Sequence, residues 1–108
     1  MSGNRFVLRE RLKRHPLFYF HFLNYKLNYL KIEAGTLNNI GLCYLELGNI
    51  TKASDYYNEG LKIRETIDDE SGIVESYLNL GNLYIRIGES LKAFSYFTRS
   101  LQKKKKNG

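Results

Sequence analysis

His15, His21, Cys43 and the acidic run Asp68-Asp69-Glu70 are the side chains of this 108-residue sequence best suited to chemistry. A metal ion needs several ligands converging at set spacings, and neither histidine has an acidic or cysteine partner at such a spacing. Nucleophilic catalysis needs a base beside the nucleophile, and no Ser, Thr or Cys stands in that pattern. A Gly-rich phosphate loop is missing as well. Cys43 falls between Leu42 and Tyr44 in a stretch of helical periodicity, where a free thiol reads as a buried, inert packing group. No catalytic residue, metal ligand or cofactor site is therefore assigned, and an enzyme reading has little to stand on. A single cysteine cannot form an internal disulfide, which suits a reducing, cytoplasmic setting.

The elements that would position any functional group are written twice. Asn39, Gly41, Tyr44, Gly48, Lys52, Ala53, Tyr56 and Leu61 each recur forty residues later, as Asn79, Gly81, Tyr84, Gly88, Lys92, Ala93, Tyr96 and Leu101. Similar residues fill the gaps, with Ile40 matched by Leu80, Leu45 by Ile85 and Tyr57 by Phe97. A fixed period in this range signals a repeat architecture. Within a copy, Leu37, Ile40, Gly41, Tyr44 and Leu47 recur at three and four, one face of a helix. Gly48-Asn49 ends that helix, and a second begins near Thr51, with Ala53, Tyr57, Gly60, Leu61 and Arg64 on its inner side. Ile67 to Gly72 interrupts the pattern and offers capping carboxylates. The scheme then repeats over Ile73–Ile87 and from Ser90 to about Lys104. Gly41 and Ala53, like Gly81 and Ala93, are small enough to let paired helices close. Tyr44, Tyr57, Tyr84 and Phe97 fill the space beside them.

Ahead of the copies, Phe18, Phe22, Tyr25, Tyr29 and Ile32 make an apolar stripe at helical spacing over Leu17–Ile32, which Glu33-Ala34-Gly35 closes or links to the next helix. Residues up to His15 are basic and amphipathic. They suit a short helix ending near Pro16 better than a targeting segment, for which no small-residue cleavage site follows. No apolar run approaches the roughly 20 residues of a membrane span. Residues 1–35 carry seven basic and two acidic side chains, residues 36–102 six and nine, and Lys103–Lys106 add four more bases. The repeat body is thus mildly acidic between basic ends, which argues against a nucleic-acid surface on the folded part.

The pattern Leu37-x-x-Ile40-Gly41-x-x-Tyr44, Gly48, Ala53-x-x-x-Tyr57, with its second copy from Tyr77 to Phe97, resembles the tetratricopeptide repeat. The period is forty, where the family usually has about thirty-four. In this it is similar to the repeats of bacterial sensor and regulator proteins and of kinesin-light-chain-type cargo binders. The resemblance implies an all-α fold, an α-solenoid of antiparallel helix pairs, with two full repeats and an N-terminal helical half-repeat. The chain divides accordingly into a basic arm at 1–16, a helix of a degenerate preceding repeat at 17–35, repeats at 36–72 and 73–104, and a basic tail at 105–108. About three repeats are normally needed for stability. The chain therefore reads as a fragment of a longer array, or as one that completes its core by self-association or with a partner.

The same resemblance implies a non-enzymatic protein-interaction module whose first helices line a concave groove for a peptide or partner helix. Asn39 and Asn79 then take the place that contacts a ligand's main chain, with Asn38, Asn82, Glu46 and Arg86 near the same surface. An amide both donates and accepts, so it can pair with any peptide backbone. Leu42 against Asn82 and Glu46 against Arg86 are the mismatches between copies that would carry specificity. The alternative is a basic-armed nucleic-acid-associated or regulatory protein in which the repeats only self-associate.

Overall fold

The computed structural model of the protein describes residues 7–11 and 14–107. Arg5, Phe6, Leu12 and Lys13 of the expected arm, and Gly108 of the tail, lie outside the described residues. After a helical stretch at residues 7–11 the chain forms four long helices: α1 (Pro16–Glu46), α2 (Ile50–Thr66), α3 (Glu70–Arg86) and α4 (Ser90–Asn107). Neighbours in sequence pack as antiparallel pairs, and α1 also touches α3. The fold is all-α, a stack of helix pairs.

The period of forty is built from smaller units. Helices α2 and α3 each have 17 residues, and each of the turns Leu47-Gly48-Asn49, Ile67-Asp68-Asp69 and Ile87-Gly88-Glu89 has three. All three turns share one conformation. Their middle residues have positive φ, 82° at Gly48, 55° at Asp68 and 81° at Gly88. The next residue sends its N–H back to the carbonyl five residues earlier: Asn49 to Tyr44, Asp69 to Arg64, and Glu89 to Tyr84, at 2.8–2.9 Å. This bond satisfies a carbonyl that the helix end leaves free. Gly48 and Gly88 adopt the left-handed backbone without strain, and Asp68 is of a type that tolerates it. The break between the repeats is therefore shorter than the expected Ile67–Gly72, because Asp69 caps α3 by accepting from the Gly72 N–H at 3.2 Å. Glu70, Ser71 and Gly72 already belong to α3.

Two further expectations change. Glu33-Ala34-Gly35 is not a break; α1 runs through it without interruption for 31 residues. Ala34 is fully buried, with its carbonyl 3.1 Å from where a Cβ on Gly60 would stand, so packing on α2 holds this stretch helical. At the other end the tail is helical through Asn107, tied at Lys103, whose ammonium lies 2.9 Å from the Glu70 carboxylate. That hydrogen bond raises the pKa of Lys103.

The core sits where both copies meet. Leu45 of α1, Ala53 and Tyr57 of α2, and Leu80 and Leu83 of α3 form one buried cluster. The Tyr57 ring lies on Gly41, where a Cβ would come within 2.7 Å of Cδ1. Phe97 covers Gly81 in the same way, with Cε1 at 2.6 Å. The repeated lysines and tyrosines also find a common use. Tyr44 stacks on Tyr56 at 5.5 Å with Lys52 over Tyr44 at 5.2 Å, and Tyr84 stacks on Tyr96 at 5.6 Å with Lys92 over Tyr84 at 4.9 Å. Each hairpin is thus closed near its turn by the same cation-on-aromatic layer.

Gly41→Ala should destabilise the chain by about 1–3 kcal/mol, because the Tyr57 ring must move in a packed core. Gly35→Ala, where nothing lies within 4 Å of the new Cβ, should stabilise it by about 0.5–1 kcal/mol. Urea unfolding of both variants checks the pair. Burial also raises the Tyr57 phenol pKa above 10.0, with Arg86 lowering it and Glu46 raising it to lesser degrees. A phenol that ionises more easily unfolded than folded leaves stability intact below that pH and removes it above. Stability should fall as pH rises past about 10, and Tyr57→Phe should lose less over that window, in unfolding curves taken on either side of it.

Candidate partner-binding surface

The surface shared by α1 and α3 is built from equivalent positions of the two copies. Asn39 and Glu46 are seven residues apart on α1, and Asn79 and Arg86 stand in the same relation on α3, so each pair shares a helix face. The two faces lie side by side because Arg86 meets Glu46 at 3.1 Å and also approaches the Leu45 carbonyl at 3.4 Å. Residues expected to select a ligand by charge instead satisfy each other across the repeat boundary. Their mismatch between copies is what makes the pairing work, since two glutamates or two arginines there would repel.

Asn39 and Asn82 are exposed and Asn79 half-buried, and among the described residues none of the three side chains has a hydrogen-bond partner. Asn38 does not join them. It is 3% exposed, packed on Gly60 with Oδ1 2.7 Å from that residue's ideal Cβ position, and neither of its polar side-chain atoms has a hydrogen-bond partner among the described residues. One residue along a helix turns the side chain by about 100°, which takes Asn38 from the outer face to the α2 side. Cys43, expected to be buried, is exposed beside Leu42 on the outer side of α1.

Behind this surface, sequence reasoning placed Arg64 on the inner side of α2 but not its role. The guanidinium is buried and donates through one nitrogen to the Gly72 carbonyl at 3.0 Å and to Ser76 Oγ at 2.9 Å. Its other terminal nitrogen is 3.6 Å from Glu75 on the exposed side of α3. Gly72 makes the approach feasible, since a Cβ there would stand 2.8 Å from Arg64 Cδ. A buried arginine eight residues before a glycine was visible in the sequence, but nothing there showed that the two meet.

Among the described residues no group of three or more His, Cys, Asp or Glu is placed to hold a metal ion. No helix among them is long and apolar enough to cross a membrane. What the surface offers is amide hydrogen bonding over a pair of charges that already cancel.

A profile of the tetratricopeptide repeat matches residues 33–106. The chain belongs to the tetratricopeptide repeat family. The match starts inside α1, at Glu33, and takes in both copies and the turns that join them. Repeats of this family mediate contacts between proteins. No curated protein and no solved structure matches the chain.

Charge reversal tests the Glu46–Arg86 assignment. Glu46→Arg alone should cost about 1 kcal/mol by placing two arginines together. Adding Arg86→Glu should restore most of that loss, and a thermodynamic double-mutant cycle would show the coupling. A cycle with no coupling energy would leave both groups free for a ligand.

Proposed function

We propose that this chain is a cytoplasmic protein-interaction module that holds an extended peptide or a partner helix on the surface shared by α1 and α3. The observation that carries the reading is the row of asparagines, Asn39, Asn79 and Asn82, whose side chains have no hydrogen-bond partner among the described residues and which stand on neighbouring helices at related positions. Amides left open in this way suit a ligand's main chain, whose own donors and acceptors alternate along its length. The Glu46–Arg86 and Arg64–Glu75 pairs use up much of the nearby charge. Selection then falls to shape and to apolar neighbours such as Leu42 and Leu78, both partly exposed. Protein partners also fit the family's general role.

Peptides selected by display against the chain should bind in a fluorescence-anisotropy titration. The Asn39→Ala/Asn79→Ala/Asn82→Ala variant should bind them about a hundredfold more weakly, at about 1 kcal/mol for each amide, with unchanged helicity. Asn38→Ala should leave affinity unchanged, because that residue faces α2. Undiminished binding by the triple variant would move the contact to the basic ends or to another face.

A further inference from the structure

The family match leaves out the first half of α1, residues 16–32. Helix α1 is about 46 Å long, against about 26 Å for α2 at ~1.5 Å per residue, so roughly 20 Å of it overhangs the hairpin. Ala34, Asn38, Gly41 and Leu45 are its buried residues and mark the side that faces α2. At about 100° per residue, Phe18, Phe22, Tyr25, Tyr29 and Ile32 centre on the opposite side. All five are exposed, by 44% at Phe22 to 74% at Tyr25. They alternate at four and three residues, the spacing that keeps one seam turned toward a neighbouring helix.

We propose that this seam pairs with its own copy in a second chain, antiparallel, about a two-fold axis between Leu23 and Asn24. Turned end for end about that point, the four aromatic residues of the seam map onto one another and Ile32 falls opposite His15. Phe18 exchanges with Tyr29 and Phe22 with Tyr25. A two-fold interface requires this self-complementarity, because every contact occurs twice. Charge selects the same orientation. Parallel pairing would set Lys26, which flanks the seam, against its own copy, whereas antiparallel pairing separates the two and brings Glu33 level with the partner's Arg14. Covering the five side chains removes about 600 Å² per copy, taking roughly 200 Å² for a whole aromatic side chain. The total of about 1,200 Å² reaches the size of specific interfaces.

Sterics also permit the pairing. Helix α2 packs Gly60 at Ala34 and ends six residues later at Thr66, short of the two-fold axis, so the two repeat bodies would lie toward opposite ends of the joined helices. Leu17, Phe20 and Leu23 are also exposed, but on the α2 side of the overhang and so away from this seam. Of the remaining exposed apolar faces, Leu91, Phe94 and Leu101 of α4 fit the seam less well as an occupant. The α4 face carries Lys104 and Lys105, which would confront Lys26. The proposal does not depend on the peptide-binding reading.

Sedimentation equilibrium of the full chain, from micromolar to near-millimolar concentration, should show a dimer that dissociates on dilution. Phe22→Glu/Tyr25→Glu should weaken association about a hundredfold or more, since each lost aromatic contact occurs twice. Leu91→Glu/Phe94→Glu on α4 should leave it unchanged. In a Cys43→Ser background, a Phe18→Cys chain mixed with a Tyr29→Cys chain should form a disulfide between the two variants. A monomeric mass throughout, a dimer indifferent to the seam variant, or loss of the dimer through the α4 variant instead would each overturn the proposal. So would a Phe18→Cys chain that bridges preferentially to itself. The wild-type mass and the cross-link decide the matter even if the charged seam variant fails to fold.

Discussion

The placement of one ring, that of Tyr57, governs how the helices come together. It lies where the side chain of residue 41 would be if that residue were not glycine. That close approach draws α1 and α2 together and leaves the ring's remaining surface facing Leu80 and Leu83 of α3. A single aromatic therefore closes one hairpin and seats the next upon it. Phe97 repeats the first half of this arrangement on Gly81, but no further hairpin follows it among the described residues, and it stays half-buried. The difference between the two rings is the difference between the middle of a stack and its side.

Polar groups then decide how the two copies are fixed to each other. Arg64 enters a buried position where the Gly72 carbonyl and Ser76 accept from its guanidinium and the Glu75 carboxylate, 3.6 Å away, supplies a counter-charge, which offsets part of the cost of burial. Arg86 and Glu46 join the same two repeats at the outer surface, where water screens the pair and its contribution is smaller. Both links spend charge inside the chain. The surface between α1 and α3 is left with amides, whose hydrogen bonding is less selective by sign and better matched to a peptide backbone.

Helix α1 belongs to this scheme for only half its length. From Ala34 onward its buried side follows α2, while the earlier half keeps large aromatic side chains in water on the opposite side. An apolar seam that long is costly to leave uncovered. The continuity of the helix is what fixes the seam's direction relative to the repeats, since a break at Gly35 would have let the segment fold back.

The sequence by itself determined the repeat, its helices and the family. Identical residues forty apart left little freedom, because Gly41, Ala53 and Tyr57 specify one way for a helix pair to close. That Asn39 and Asn82 face outward was legible too, whereas Asn38 is carried to the inner face by a single residue's rotation. What only the tertiary structure decided were the partnerships. Nothing local marked Lys52 and Lys92 as covers for tyrosine rings, Glu46 and Arg86 as each other's counter-charge, or Arg64 as the bolt beneath Gly72. Asp68 concealed a turn identical to those at Gly48 and Gly88, because an aspartate can take the backbone shape that glycine usually signals. Gly35 misled in the opposite sense, since a glycine ends a helix only where the chain gains by turning, and burial of Ala34 against α2 held it straight. Periodicity is a property of one helix at a time and can be read along the chain. Which side chain meets which across helices depends on register and rotation, and these are set only when the whole stack packs.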